Sequence, residues 1–352
     1  MSPRTPRSLP FIIIINVLSL LFLVWALHTL SFREVWHDFK HLRWGWVAVG
    51  IASNVLAYVV QGWRWSLILA PVAPVRASKA IGAVFVGVYA NEVLPLRSGE
   101  IIRCYLLARS SELPVSVTLA SALIERIFDG IYLIAGIFIT VQMTQLDPLI
   151  RHSGIVLGVI ILVGIVLLGI AMYWREQTLD LLLNARWFGW VHVLIKDLHL
   201  IGHSRYLYFA FAVTLPFTLL QVFPMYAVLR AYDKLDSIPA IAAVCVAIML
   251  RFNAILPQAP GGIGTFPAAV MFGLRPYRSF SGLTRFVYDR ATRNFGVILL
   301  AIVTVPLLVT GFIAVAFTGK SILAIRRHAR SSMEDRDAVP IDPAEEESIP
   351  PS

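Results

Sequence analysis

The sequence predicts an all-α, polytopic integral membrane helix bundle with a two-fold internal repeat, on three observations. Of its 352 residues, 58% are hydrophobic and 14% charged, with a mean hydropathy of +0.75. A soluble domain carries about 25% charged residues, so much of this chain belongs in lipid. Apolar runs long enough to cross a bilayer, at roughly 20 residues each, recur along its length. Within them one phrase occurs twice. Asn91-Glu92-Val93-Leu94-Pro95 runs into Leu96-Arg97-Ser98-Gly99-Glu100, and Asn253-Ala254-Ile255-Leu256-Pro257 runs into Gln258-Ala259-Pro260-Gly261-Gly262. Each copy ends an apolar helix at a proline and continues into glycine and polar residues. Backbone amides in hydrocarbon must be bonded internally, so such breaks are tolerated only beside protein or a wet cavity. One break alone would read as a loop at a helix end; a matched pair in two halves is the pattern of a transporter-like site.

In chain order, apolar spans read at 9–30, 44–70, 154–174, 206–229 and 287–318. Three further segments, 78–96, 114–142 and 238–257, are long enough but carry prolines or charges. That makes about eight membrane segments, two of them broken or re-entrant, with no room for a sizeable soluble domain. The apolar core from Phe11 to Leu27 is too long for the h-region of a signal peptide and lacks a small-residue cleavage site. It reads as an uncleaved anchor. Arg4 and Arg7 precede it, and Lys320, Arg326, Arg327 and Arg330 follow the last span, so the positive-inside rule puts both ends in the cytoplasm. Between 176 and 200, Leu179, Leu183, Trp187, Trp190, Leu194 and Leu198 recur at helical spacing, as in an amphipathic helix lying in the interface or packed on the bundle. Beyond Arg330 the chain turns acidic and proline-containing, which predicts disorder. The division is then a membrane domain over 1–320 and a disordered cytoplasmic tail over 321–352.

The repeat reaches beyond the two phrases. Gln61 and its neighbours find a loose echo around Gln221, and Arg126-Ile127-Phe128-Asp129-Gly130 resembles Arg293-Asn294-Phe295-Gly296. The unit is span, broken segment, span, used twice. If both broken segments cross fully, the halves have the same orientation; if both are re-entrant, there are six true spans and the halves are inverted. Charge favours the second arrangement. It puts Arg76, Lys79, Arg97, Arg103 and Arg109 on the cytoplasmic side, although Arg275 and Arg278 stay outside.

Three clusters could carry function. Glu125, Arg126 and Asp129 lie on the 114–142 segment, Glu125 roughly 16 Å in from Pro114 at 1.5 Å per residue. Glu125 and Asp129 share a helix face, and Arg126 reaches Asp129 at i+3. Charges at that depth normally face a cavity or a partner. Two acids against one base leave a carboxylate in need of another cation, for which Arg97, Arg103 and Arg251 are candidates. The first broken segment adds Asn91, Arg97, Gly99, Glu100 and Arg103 around Pro95. Pro95 frees an upstream carbonyl, Gly99 permits close backbone approach, and Asn91 is placed to satisfy freed backbone groups. The second, around Pro257 and Pro260, offers Asn253, Gly261, Gly262, Gly264 and Thr265, whose successive amides can form an anion nest beside Arg251. Arg64, late in its span and seven residues before Pro71, is explained by snorkelling to the interface.

Several classes are excluded. The basic residues behind the net charge of +9 flank membrane segments rather than forming a soluble patch, so they set topology and meet anionic headgroups, not nucleic acid. Cys104 and Cys245 stand alone in apolar contexts, and the eight histidines show no zinc spacing. The Pro260 loop is neither a Walker nor a dinucleotide loop. No cofactor, metal site or enzyme signature is expected.

Asn91-x-x-x-Pro95-x-Arg97-x-Gly99-Glu100-x-x-Arg103, then Glu125-Arg126-x-x-Asp129, then Pro260-Gly261-Gly262-Ile263-Gly264-Thr265-Phe266, resembles the lysylphosphatidylglycerol synthase transmembrane region, a flippase-like family of bacteria and archaea. The resemblance covers roughly residues 10–318. It implies an inner-membrane transporter of lipid or lipid-linked substrates, with an anionic headgroup held in a polar intramembrane cavity. Partners would be membrane lipids and a lipid- or glycan-modifying enzyme. Two rival roles remain: an accessory subunit of a lipid, hopanoid or glycan pathway, and a membrane-embedded lipid-modifying transferase using Glu125 and Asp129 as acid and base. The family usually has an acidic residue just after the Gly-Gly-Ile-Gly phrase, where this chain has Pro267. Lysine transfer to lipid is not expected without the synthases' soluble domain.

Overall fold

Proline punctuates the first half as the sequence suggests. In the computed structural model, Leu94 takes an extended conformation (φ −93°, ψ 144°) and ends the preceding helix at Val93, because a residue before proline is disfavoured in the helical region. The structure describes residues 32–94, 98–143, 204–254 and 265–337, with scattered positions between 155 and 166, and side chains as far as residue 318. Among the described residues every regular element is helical. They are α1 (Phe32–Lys40), α2 (Trp44–Leu69), α3 (Ala77–Val93), α4 (Gly99–Ser110), α5 (Val115–Met143), α6 (Arg205–Ala231), α7 (Ile241–Asn253), α8 (Thr265–Leu274) and α9 (Arg285–Asp337), with 3₁₀ turns at Asp233–Leu235 and Arg275–Ser281.

Three of these are long and apolar enough to cross a membrane: Trp44–Leu69, Arg205–Ala231 and Arg285–Thr318. Pro216 and Pro224 lie inside α6 and Pro306 inside α9, as membrane helices tolerate when neighbours satisfy the freed carbonyls. The Thr310 side chain, one turn on, donates back to the Pro306 carbonyl at 2.8 Å. α5 has the length, with 29 residues, but carries Glu125, Arg126 and Asp129. The expected span 9–30, most of 154–174, and the amphipathic stretch 176–200 lie outside the described residues. α9 runs on to Asp337, into the segment assigned above to a disordered tail. No proline or glycine interrupts Lys320 to Asp337, so nothing local stops the helix there.

Register settles the topology. Asn91 on α3 meets Gly99 on α4, Gly87 meets Arg103, and Lys79 donates to the Ser110 carbonyl. The paired numbers rise in one helix as they fall in the other, so α3 and α4 form an antiparallel hairpin. α7 and α8 repeat this, with Gly273 against Val246 and Tyr277 against Cys245. α3 is about 25 Å long and α7 about 20 Å at 1.5 Å per residue, so each pair is a helical hairpin of shorter arms than the long apolar helices beside it. α2 and α6 pack antiparallel: Arg43 N donates to the Ala231 carbonyl at 3.0 Å, Ser53 to the Leu220 carbonyl at 3.0 Å, and Arg64 to Thr214 at 3.0 Å. The repeats α2–α5 and α6–α9 are therefore inverted. Each hairpin also leans on the opposite half, α3 on α9 and α7 on α5, the exchange a pseudo-two-fold axis requires.

The tightest point is Gly99. A Cβ there would meet the Gly87 carbonyl oxygen at 1.9 Å and Asn91 Oδ1 at 2.6 Å. Only glycine lets α4 start against α3 so closely.

Candidate functional site

Six charged side chains from α2, α4 and α5 close into a ring. Glu125 is fully buried; its Oε1 accepts from Arg64 Nη2 at 3.2 Å and its Oε2 from Arg103 Nη2 at 2.8 Å. Arg64 Nη1 also donates to Asp129 Oδ1 at 2.7 Å. Asp129 Oδ2 lies 3.7 Å from Arg126 Nη1, and Arg126 Nη2 lies 2.8 Å from Glu100 Oε2. Glu100 returns to Arg103, 3.0 Å from its Nε. Cation and anion alternate around the circuit, so each buried charge has two opposite neighbours. That geometry offsets a desolvation penalty of several kcal/mol per ion.

The helices explain who meets whom. Glu125 and Asp129 are one turn apart on α5 and face α2 across the bundle. α4 leaves the hairpin turn antiparallel to α5, which sets Glu100 beside Arg126 and Arg103 beside Glu125. Aromatic faces cover the two buried guanidiniums: Arg64 over Phe217 at 4.5 Å and Arg103 over Trp65 at 4.6 Å. Trp65 is itself tied to Ser121 at 2.8 Å. Arg64 Nε and Arg103 Nη1 remain buried without a hydrogen-bond partner.

The ring has a closed side and an open side. Arg64 and Glu125 are 0% exposed, whereas Glu100 and Arg126 keep 43% and 45%. Arg126 is roughly 17 Å along α5 from its start. A half-exposed ion pair this far along an apolar helix calls for a polar environment rather than hydrocarbon.

Arg251, at the end of α7, stands outside the ring but within Coulombic reach of Asp129, Arg126 and Arg64. It hydrogen-bonds the neutral Gln221 on α6, and no ion pair to it is found among the described residues. Asn253 is buried at the end of the same helix. Thr265 opens α8, and its hydroxyl is buried without a hydrogen-bond partner.

Of the residues singled out from sequence, Glu100, Arg103, Glu125, Arg126 and Asp129 come together in the ring. Asn91 Oδ1 accepts from Gly99 N at 2.8 Å, fastening the first hairpin at its turn. Arg97, Pro95, Pro257, Pro260, Gly261, Gly262 and Gly264 lie outside the described residues. Of the cations considered for Glu125, Arg103 is a partner and Arg251 bonds Gln221 instead. The larger correction is Arg64, which does not snorkel. It is fully buried and joins Glu125 to Asp129. Distance from the helix end said nothing about which face it occupies. Its face did: Gly50, Ser53, Asn54, Ala57, Gln61 and Arg64 form a buried stripe of small and polar residues on α2.

Residues 12–301 match the family described as the lysylphosphatidylglycerol synthase TM region. The chain belongs to this family. A search of curated proteins gives no match. Membership, with three long apolar helices, makes this a multi-pass membrane protein. At Pro267, the position where the resemblance led one to look for an acid, the backbone packs against α9. A Cβ on Gly296 would lie 2.9 Å from Pro267 Cα, so this place is a helix contact.

Proposed function

We propose that this family member transports an anionic lipid or lipid-linked substrate across the bacterial or archaeal cytoplasmic membrane, its headgroup passing through the cavity beside the charged ring. Arg251 carries the reading. Within the ring, three arginines face three carboxylates, and each ion pair is internal. Arg251 brings a further guanidinium to the same place and is held there by a neutral amide, which leaves its charge available to an anion. Arginine presents planar, bidentate donors suited to phosphate. Glu100 and Arg126 would line the cavity wall. With both termini cytoplasmic, the first hairpin opens from the cytoplasmic side and the second from the other. An inverted pair of hairpins around a central polar site is the architecture of alternating access. The proposal includes no chemical step on the lipid.

The test is reconstitution in liposomes with fluorescent phosphatidylglycerol and phosphatidylcholine, followed by dithionite quenching of the outer leaflet. The protein should speed exchange of the anionic lipid, and Arg251→Gln should lower that rate roughly tenfold, about 1.4 kcal/mol, with unchanged thermal stability. Exchange no faster than in protein-free liposomes, or full activity in Arg251→Gln, overturns the proposal. Appearance of a chemically altered lipid would favour the transferase instead.

A further inference from the structure

A second basic site lies at the other end of the molecule. Between α8, the Arg275–Ser281 turn and the start of α9 is an open cavity of about 1030 Å³. Its lining combines apolar Met271, Phe272 and Leu283 with basic Arg275, Arg278 and Arg285. The inverted repeat puts this cavity at the end of α2 opposite the base of the first hairpin, where apolar α9 begins. It is separate from the ring and from Arg251.

Several other cations at this end are matched to carboxylates, whereas Arg33 and Lys40 on α1 are exposed and lie away from the cavity. Arg43 pairs with Asp233 and Asp236 at 2.9 Å, Arg230 with Asp236 at 3.0 Å, Lys234 with Asp38 at 2.7 Å, and Arg290 with Glu34. Arg285 is 3.9 Å from Asp289, which also lines the cavity. Arg275 and Arg278 are exposed and have no carboxylate partner among the described residues. They are also the arginines that the inverted arrangement leaves on the outer side against the charge rule. Two exposed guanidiniums in one cavity, without a carboxylate partner, suit an anionic occupant. Phe272, 55% exposed, lines the same cavity, which suits an occupant that is apolar as well as anionic.

We propose that this cavity binds a phosphate-bearing membrane lipid, its phosphate against Arg275 and Arg278 and an acyl chain along Met271 and Phe272. A free phosphate would use the arginines but not the apolar lining. Charge-assisted hydrogen bonds from two guanidiniums give the site its affinity, and Ser279 adds a hydroxyl to the lining.

The experiment uses the full chain in nanodiscs of phosphatidylcholine containing a photoactivatable phosphatidylglycerol. Cross-linked peptides are mapped by mass spectrometry. Labelling is expected within 268–292, and the double variant Arg275→Gln/Arg278→Gln should reduce it roughly tenfold or more. Arg33→Gln, an exposed arginine on α1 at the same end but away from the cavity, should leave it unchanged. Inorganic phosphate should not compete. Labelling retained in the double variant, or lost equally in Arg33→Gln, overturns the site; competition by inorganic phosphate overturns its assignment to a lipid. Binding is read without any flux, so Arg251→Gln should label normally whether or not the protein transports.

Discussion

The two halves share a backbone plan and differ in where they keep their buried charges. Each is a long helix, a helical hairpin and a second long helix, and each hairpin leans on the other half. In the first, the hairpin and its flanking helices hold six charges at membrane depth. In the second, the residue before Arg293 is Thr292, as Glu125 precedes Arg126. Its hydroxyl turns back to the Tyr288 carbonyl at 2.9 Å. α8 has no charged residue from Thr265 to Leu274. The second half instead gathers its buried polar contacts at the end of the bundle, where Tyr232, Lys234 and Asn294 surround Asp38 of α1. Symmetry has built the scaffold, and asymmetric side chains have made one half the polar one.

The largest expected effect tests that asymmetry directly. Glu125→Gln leaves Arg64 and Arg103 facing a neutral amide in a buried ring, and breaking such a pair costs on the order of 3–5 kcal/mol. Thr292→Val removes one hydroxyl-to-carbonyl bond, worth about 1 kcal/mol. Thermal unfolding in detergent should rank them in that order, and equal losses would break the comparison. Glycine packing gives a smaller contrast. Gly99→Ala drives a Cβ to 1.9 Å from the Gly87 carbonyl oxygen, whereas Gly273→Ala reaches Val246 Cα at 2.9 Å. Both overpack backbone against backbone, typically by about 1–3 kcal/mol, and Gly99→Ala should lie at the upper end. A cost for Gly273→Ala equal to that for Gly99→Ala would mean that the two hairpins are held equally tightly.

Much of this plan was legible from residue order. The doubled Asn-x-x-x-Pro phrase located both hairpins, because proline disfavours helix at the residue before it and cannot be hidden in an apolar run. Glu125 and Asp129 on one face followed from helical period alone. Arg64 did not follow, because its partners are about 60 residues away in sequence on another helix and only tertiary packing unites them. The closed circuit of the ring was out of reach for the same reason: it needs the α4–α5 register, which is set across the short connection between Ser110 and Val115. Inversion was favoured by charge, but the decision came from the antiparallel pairing of α2 and α6.

A further small effect concerns Asp38, and it separates the two polar clusters by pH. Burial pushes this carboxyl group up, but hydrogen bonds from Lys234 at 2.7 Å, Tyr232 at 2.6 Å and Asn294 at 2.9 Å more than offset it. The net result is a carboxyl held below its usual range. A folded-state pKa below the unfolded one means that the unfolded chain takes up the proton first as pH falls. The stabilisation is therefore complete above the ordinary aspartate pKa of about 3.9 and fades as pH drops through the lower folded value. Lys234 is half exposed, so solvent screening limits the contribution to about 1–2 kcal/mol. Asp38→Asn should then melt a few degrees below the wild type at neutral pH, and the two curves should converge in acid below about pH 4. A gap that stayed constant into acid would show that Asp38 holds α1 by shape rather than by charge, and the second half would have no functional counterpart to the ring's electrostatics.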